Sequence, residues 1–298
     1  MSALLADDPS PQRGPLHCVQ ASNPPRDAGA LGQRLLDDLR SAIDTGSGAE
    51  VSYPIANHDR SVGARVSGYI ARRWGNLGME PTPVQVYLRG SAGQSFGAFN
   101  AGGLNMELIG DANDGVGKGM AGGRLVLRPP SGARYVARDT PIMGNACLYG
   151  ATGGELYAAG RAGERFAVRN SGAIAVIEGA GDHCCEYMTG GVVAVLGRSG
   201  LNFGAGFTGG FAYVLDMDRD FVDRYNHELI DLHRLSPEGM EHHVQHLRSL
   251  LGAHHGASGS VFAAEVLEDF RDYLSKFWLV KPRAASLESL IETLREAA

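Results

Sequence analysis

The sequence predicts a mainly β fold, a parallel β-helix with α-helices at both ends, and two observations carry this prediction. Glycine is in excess, at 42 of 298 residues, and 29 of these glycines lie between positions 88 and 213. In the same segment, short apolar runs alternate with glycine clusters. Extended runs that turn at regular glycine-rich corners are typical of a coiled β architecture.

The spacing of the glycine clusters predicts the length of one coil. Six glycines taken as marks are separated by 20, 34, 16, 19 and 18 residues, and the value of 34 spans two coils because it contains a further strand at 124–127. A period of 16 to 20 is too short for a βαβ unit, which needs about 30 residues or more. The marks are Gly90, Gly110, Gly144, Gly160, Gly179 and Gly197.

Glycine suits the corners of such coils because it accepts positive φ and close approach of another backbone. Stacked coils then pair each strand with the strands of the two neighbouring coils. An antiparallel barrel or sandwich with glycine-rich hairpins is the alternative, but Asp114-Gly115 is the only hairpin dipeptide of its kind. The predicted corner glycines are Gly90, Gly93, Gly97, Gly110, Gly144, Gly160, Gly163, Gly179, Gly181, Gly197, Gly200 and Gly204.

Composition divides the chain into four segments. Prolines and few large apolar residues predict disorder over 1–30, and helical spacing predicts a lead-in over 31–83. The β-helix covers 84–215, and a helical extension covers 216–298. Within these segments, Ser61 and Ser260 are the predicted N-caps of two helices. Helices are predicted at 31–43, 61–73, 218–232, 236–251, 260–276 and 286–297.

Charge and cysteine content restrict the class of function. The net charge of −6 supplies no basic field for nucleic acid or an anionic membrane. The polar N-terminus lacks a signal-peptide pattern, and no apolar run approaches the roughly 20 residues of a membrane span. Four cysteines without a C-x-x-C pair fit a reducing compartment, so a cytoplasmic location is expected.

Three motifs suggest chemistry, and each has a structural alternative. His183-Cys184-Cys185 suggests a metal or nucleophile site, but neighbouring strand residues face opposite ways, so a loop fixed by hydrogen bonds to His183 and Glu186 is favoured. His242, His243 and His246 suggest a metal cluster, and a solvated helix face is favoured instead. The loop over 110–119 resembles a phosphate cradle, but Val116 stands where lysine is required.

Polar side chains within the coils are candidates for contact with a partner. Polar groups carried on a rigid coil are well placed for such a contact, and a solvated coil face is the alternative. The predicted interface residues are Arg165, Arg169, Asn170, His183 and Glu186. We predict no catalytic, cofactor-binding or metal-binding residue.

The glycine segments resemble the C-terminal GXGXG domain of the glutamate synthase large subunit. The similarity runs from about residue 35 to 281 and includes a short lead-in at 57–63. One departure is visible, because Cys184 stands where the family usually has glycine. The segments that carry the resemblance are 90–99, 110–119 with 122–124, 144–152, 163–172 and 178–191.

The resemblance implies a right-handed single-stranded parallel β-helix that is chiefly structural. In that family, an amidotransferase domain hydrolyses glutamine, and a barrel domain with FMN and an iron–sulfur cluster aminates 2-oxoglutarate. Neither pattern is found in this sequence, so we expect both cofactors on partners that resemble these domains. The implied role is that of a structural subunit of an oxidoreductase complex in glutamate biosynthesis and ammonia assimilation.

Three functions follow from these expectations. The first is a non-catalytic subunit that holds amidotransferase and synthase parts in register for ammonia transfer. The second is a scaffold in another amidotransferase or amine-forming complex. The third is a stand-alone binding module. The components that co-purify with the chain distinguish the three functions.

Overall fold

The computed structural model of the protein describes residues 29–75, 78–79, 82–236, 238–287 and 290. The predicted disorder over 1–30 and the predicted helix over 286–297 fall largely outside these residues. No helix within the described residues is long and apolar enough to cross a membrane.

A ten-stranded sheet forms the body of the molecule, and its first eight strands are parallel and follow one another in chain order. This confirms a mainly β, parallel solenoid with flanking helices. The strands are β1 (Ala49–Ile55), β2 (Val84–Ala92), β3 (Leu104–Ala112), β4 (Ala121–Arg128), β5 (Gly153–Ala158), β6 (Ser171–Ile177), β7 (Thr189–Val195), β8 (Gly209–Leu215), β9 (Ile230–Arg234) and β10 (Phe277–Pro282).

Buried columns of side chains run through the solenoid because the parallel strands pair in register. The two interior columns of β2 to β8 are entirely apolar and buried, so each coil contributes one layer of the core. The first column is Val86, Met106, Leu125, Leu156, Ala175, Val193 and Ala212, and the second is Leu88, Leu108, Leu127, Ala158, Ile177, Val195 and Val214.

The opposite face of β4 to β8 is also buried, beneath the C-terminal helices. Val126, Tyr157, Val176, Ala194 and Tyr213 form its central column. Strands that are buried on both faces have continuous apolar sequences, and the apolar runs of β4 to β8 follow this rule. The covering helices are α3 (Glu241–Ser258), α4 (Val261–Glu268) and α5 (Phe270–Leu274).

The sheet begins before the segment assigned to the β-helix. Between α1 (Ala30–Thr45) and α2 (Ala64–Trp74), strand β1 pairs in parallel with β2. Pro54 is tolerated in β1 because this strand lies at the edge of the sheet. The predicted N-cap at Ser61 is wrong, since α2 is capped by Gly63 without a side-chain hydrogen bond.

The C-terminal segment contains two strands that the helical prediction missed. The helix expected over 218–232 is wrong, because this stretch holds a short 3₁₀ turn at Phe221–Asp223 and leads into β9. Strand β10 pairs antiparallel with both β8 and β9, and so covers the last parallel strand. The predicted cap Ser260 is confirmed, since its Oγ accepts a hydrogen bond from Ala263 N at 2.9 Å.

Candidate functional site

One side of the solenoid is lined by corners in which every second residue has a left-handed backbone, and we call these corners the corner row. In each of six coils, three residues spaced two apart have left-handed φ between 52° and 73°. The first positions are Ser95, Gly115, Ala146, Arg165, His183 and Asn202; the second are Gly97, Gly117, Leu148, Ala167, Cys185 and Gly204; the third are Phe99, Gly119, Gly150, Arg169, Tyr187 and Gly206.

Hydrogen bonds to both neighbouring coils hold this backbone in place. In the coil that contains Ala167, the N–H groups of Arg165 and Arg169 donate to Asp182 O and Glu186 O of the following coil, at 2.8 and 2.9 Å. The N–H group of Ala167 donates at 2.8 Å to the preceding coil. The first five coils all follow this pattern. Each left-handed L residue costs roughly 1–2 kcal/mol, and the hydrogen bonds offset this cost.

The predicted corner glycines divide into two groups. Five have positive φ, while the others have ordinary φ and are needed for space. A Cβ at Gly163 would lie 2.4 Å from Asn145 Oδ1, which accepts a hydrogen bond from Glu164 N. Gly90 and Gly110 lie within β2 and β3 rather than at corners. The five are Gly90, Gly97, Gly110, Gly179 and Gly204.

The three cysteines within the described residues, Cys147, Cys184 and Cys185, are buried in the interior beside the corner row. Burial raises the pKa of Cys147 to about 12, and burial together with its neighbour Cys184 raises the pKa of Cys185 well above its usual value. Thiols held in the protonated form are poor nucleophiles and poor metal ligands. Cys184 has an ordinary φ and the left-handed position is Cys185, so the departure from the family pattern leaves the corner geometry intact.

One of the five predicted interface residues is inaccessible. Asn170 is 0% exposed, and its amide donates to Ala173 O at 2.9 Å and accepts from Ala173 N. The prediction for Asn170 is therefore wrong, because the side chain satisfies backbone groups where the corner joins β6. Asn100 follows the corner of the first coil as Asn170 follows that of the fourth, and its amide donates to Leu104 O at 2.8 Å.

The other four predicted residues lie together at the surface of the corner row. Arg165 pairs with Glu186 at 3.5 Å, and His183 Nδ1 lies 4.0 Å from Glu186 Oε1 and 3.0 Å from Asn202 Nδ2. Arg169 is exposed, and its guanidinium lies 5.9 Å from the centre of the Tyr187 ring. Within the described residues Arg169 forms no ion pair. The cluster therefore presents one uncommitted cation beside an aromatic ring.

Exposed aromatic rings accompany this cluster, and sequence reasoning missed them. Phe99 is 62% exposed and Tyr187 is 53% exposed, and both have left-handed backbones. A Cβ at Gly119 would lie 2.8 Å from the Phe99 ring, so the ring lies across a glycine of the next coil. Gly206 relates to Tyr187 in the same way, at 2.4 Å. The sequence did carry a signal for these rings. In each case an aromatic residue takes the third position of one corner, and glycine takes the third position of the next corner.

Two histidines of α3, His243 and His246, contact the hydroxyl group of a buried tyrosine rather than solvent alone. Tyr213 Oη lies 3.0 Å from His243 Nδ1 and 3.1 Å from His246 Nδ1. Burial lowers the pKa of both histidines to about 4, so both are neutral at pH 7. The prediction of a solvated face is wrong for His243 and holds for exposed His242. In the described part of the chain, no three His, Cys, Asp or Glu residues are grouped as metal ligands.

The loop over 110–119 is occupied by its own side chains. Asp114 Oδ1 accepts a hydrogen bond from Asn145 N at 2.7 Å, and Asn113 Oδ1 accepts from Asp114 N at 2.8 Å. A carboxylate at this position opposes phosphate, and the glycines here belong to the corner row. The loop geometry therefore favours the turn interpretation.

Comparisons with known proteins agree with this geometry. The family model described as the GXGXG motif matches residues 30–283. The chain is 52% identical over 245 residues to ferredoxin-dependent glutamate synthase 2 of Synechocystis sp., covering 82% of this chain and 16% of that protein. It is 46% identical over 268 residues to glutamate synthase [NADH] of Schizosaccharomyces pombe, covering 90% of this chain and 12% of that protein.

A third relative is ferredoxin-dependent glutamate synthase 1, chloroplastic/mitochondrial, of Arabidopsis thaliana. The chain is 46% identical to it over 264 residues, covering 89% of this chain and 16% of that protein. The chain thus spans only 12% to 16% of the length of these relatives. The cytoplasmic location stays a prediction.

Proposed function

Since this chain belongs to the GXGXG motif family, we propose that it is the non-catalytic structural part of a glutamate synthase-type assembly. In this proposal it holds an amidotransferase and a flavin-dependent synthase in fixed register, so that ammonia from glutamine reaches 2-oxoglutarate. One observation carries the proposal. The match to glutamate synthases covers 82% to 90% of this chain but only 12% to 16% of the relatives, so the chain matches one segment of much longer proteins.

Stiffness is the property that the proposal requires of the solenoid. Eight parallel strands stacked at about 4.8 Å give a body roughly 34 Å long, with every coil bonded to its neighbours. A rigid spacer supports catalysis by positioning, because it keeps two sites at a fixed distance. The inward columns of β2 to β8 are fully packed, which opposes bending.

The cysteines in the described part of the chain do not fit the iron–sulfur cluster of such an assembly. An iron–sulfur cluster takes about four thiolates, and the three cysteines within the described ranges are buried in the core with protonated Cys147 and Cys185. In this proposal the iron–sulfur cluster is therefore assigned to partner domains or chains, and so is FMN.

We expect the isolated chain to form no glutamate from glutamine, 2-oxoglutarate and an electron donor. Its structure offers a spacer, so turnover requires the partners that carry the two reactions. Glutamate formation is measured for the purified chain and for material co-purified from the native host under the same conditions. Turnover by the chain alone would refute the proposal.

The composition of the co-purified material separates the proposal from its alternatives. An amidotransferase-like component together with an FMN- and iron–sulfur-containing component supports it. A different amine-forming enzyme indicates the scaffold of another complex. A chain that is recovered alone, from a host that assembles the other two components, indicates a stand-alone binding module and contradicts the proposal.

The corner row is the proposed contact surface, and Arg169 is its sharpest test. Arg169→Glu reverses an uncommitted exposed charge, so we expect at least a tenfold loss of partner affinity with the melting temperature within about 2 °C of the unmodified chain. Arg165→Glu is a poorer test, because Arg165 pairs with Glu186 at 3.5 Å and the variant would place two carboxylates next to each other within the chain itself. Affinity is measured by titrating the chain into the remaining components.

Arg89→Glu is the matched control for this test. Arg89 is also exposed, but it lies in β2 outside the corner row. The control is expected to leave partner affinity within twofold. Equal affinity for the Arg169 variant and the unmodified chain would remove the corner row from the interface.

A further inference from the structure

A cleft lies between the solenoid and the C-terminal helices. It consists of two adjoining cavities of about 600 and 510 Å³, and four residues line both of them: Arg138, Glu178, Phe262 and Glu265. Charged side chains form most of the lining of the smaller cavity, and Leu196, Met217 and Phe262 form an apolar patch beside them. A concave site of this size, with charges of both signs next to an apolar patch, can hold a small molecule.

A buried carboxylate at the floor of the cleft uses only one of its two oxygens. Glu178 is 2% exposed, and Ser260 Oγ donates to its Oε1. His254 Nε2 lies 3.6 Å from the same oxygen. The second oxygen, Oε2, makes no hydrogen bond within the described residues, and Glu178 lines both cavities. The cleft thus offers an acceptor suited to an ammonium group.

An arginine of the same cleft is also unmatched. Arg161 lines the smaller cavity, and its side chain crosses Gly179, where a Cβ would lie 2.9 Å from Cγ and 3.0 Å from Nε. Its Nε is buried without a hydrogen-bond partner, and no ion pair within the described residues involves Arg161. Leaving a guanidinium unpaired in a partly buried place is costly, so this geometry favours binding of a carboxylate.

The remaining charges around the smaller cavity are paired or lie at its rim. Arg138 pairs with Glu265 at 3.8 Å, and Arg198 pairs with Asp220 at 3.3 Å. Asp139 and Asp218 are exposed. Arg161 and Glu178 are therefore opposite charges that line one cavity, and no ion pair of 4.0 Å or less joins them.

We propose that this cleft binds a zwitterionic α-amino acid with an apolar side chain. The carboxylate of the ligand pairs with Arg161, its ammonium group pairs with Glu178 Oε2, and its side chain packs against Leu196, Met217 and Phe262. Both charges of the ligand then meet a charge that the protein leaves unmatched. The site is independent of the proposed scaffold role, because it lies on one chain and needs no partner.

The test uses L-leucine and two analogues that each lack one charge. Binding to the full chain is measured by calorimetry for L-leucine, for 4-methylpentanoate without the ammonium group, and for 3-methylbutylamine without the carboxylate. We expect saturable binding of L-leucine and at least tenfold weaker binding of either analogue, since each hydrogen-bonded charge contributes about tenfold or more. Equal binding of an analogue, or no saturable binding of L-leucine, overturns the proposal.

Two variants locate the site, and a third serves as control. Arg161→Gln and Glu178→Gln are each expected to weaken L-leucine binding at least tenfold. Arg72→Gln, an exposed arginine of α2 outside the cleft, is expected to leave binding within twofold. If Glu178→Gln fails to fold, the more accessible Arg161 variant decides alone. Unchanged affinity in Arg161→Gln overturns the assignment.

Discussion

Gly110→Ala is expected to lower the free energy of unfolding by about 4 kcal/mol or more. A Cβ at Gly110 would lie 1.9 Å from Gly90 O, and the φ of +148° is one that L residues rarely adopt. The atoms that an added Cβ would meet belong to the backbone of Gly90, so no side chain can move aside. Gly110 pairs in register with Gly90, and Gly90 pairs in turn with Ile55. Relief therefore requires two coils to separate. Urea unfolding followed by circular dichroism measures the effect.

Gly252→Ala provides the matched control for the same substitution. Gly252 lies in α3 with no atom within 4 Å of an added Cβ and without positive φ. Helix propensity predicts a gain of about 0.5–1 kcal/mol at this position. A Gly110 variant within about 1 kcal/mol of the unmodified chain would mean that the coils are not packed as tightly as the structure indicates.

Acidification is expected to destabilise the chain by up to about 4 kcal/mol between pH 7 and pH 5 through His243 and His246. Both have a folded pKa of about 4, below the usual value of 6.5, because burial disfavours the charged ring. The unfolded chain therefore binds protons first, and stability falls as pH drops from about 6.5 towards 4. Unfolding free energies measured across this range by urea titration test the expectation.

Substitution separates this effect from general acid unfolding. The double variant His243→Asn and His246→Asn removes both titrating rings while keeping a side chain able to bond Tyr213, so its stability should depend less on pH. His242→Asn changes an exposed neighbour and should leave the pH dependence unchanged. An unaltered slope in the double variant would assign the acid effect to other groups.

Local pattern was enough to predict the strands of the solenoid but not the antiparallel pair. Apolar runs next to glycine mark Leu104–Ala112 and Thr189–Val195, although Gly110 lies within the first strand and Gly190 within the second. The helix predicted over 218–232 included the start of Ile230–Arg234, because the apolar spacing there fits either period. Its strand conformation depends on pairing with β10, about fifty residues later in the chain.

The sequence was enough to predict which polar residues lie near one another in the candidate site, but not which of their side chains are exposed. Arg165, His183 and Glu186 do lie together, because the coil period places them on successive corners. Asn170 is as polar as they are, yet it is buried by its bond to Ala173. Left-handed Phe99 was beyond sequence reasoning, because glycine is the usual residue in that conformation and only hydrogen bonds between coils hold an aromatic residue there.

The corner row has little net dipole along the solenoid axis, because its amide groups point alternately towards the preceding and the following coil. In an α-helix, aligned peptide dipoles leave about half a charge at each end. In the corner row, the N–H groups of Gly163 and Ala167 point towards the preceding coil and those of Arg165 and Arg169 towards the following coil, so most of the field cancels within each coil. A coil can therefore be inserted or removed without changing the potential at the ends, and partner choice along this side falls to side chains alone.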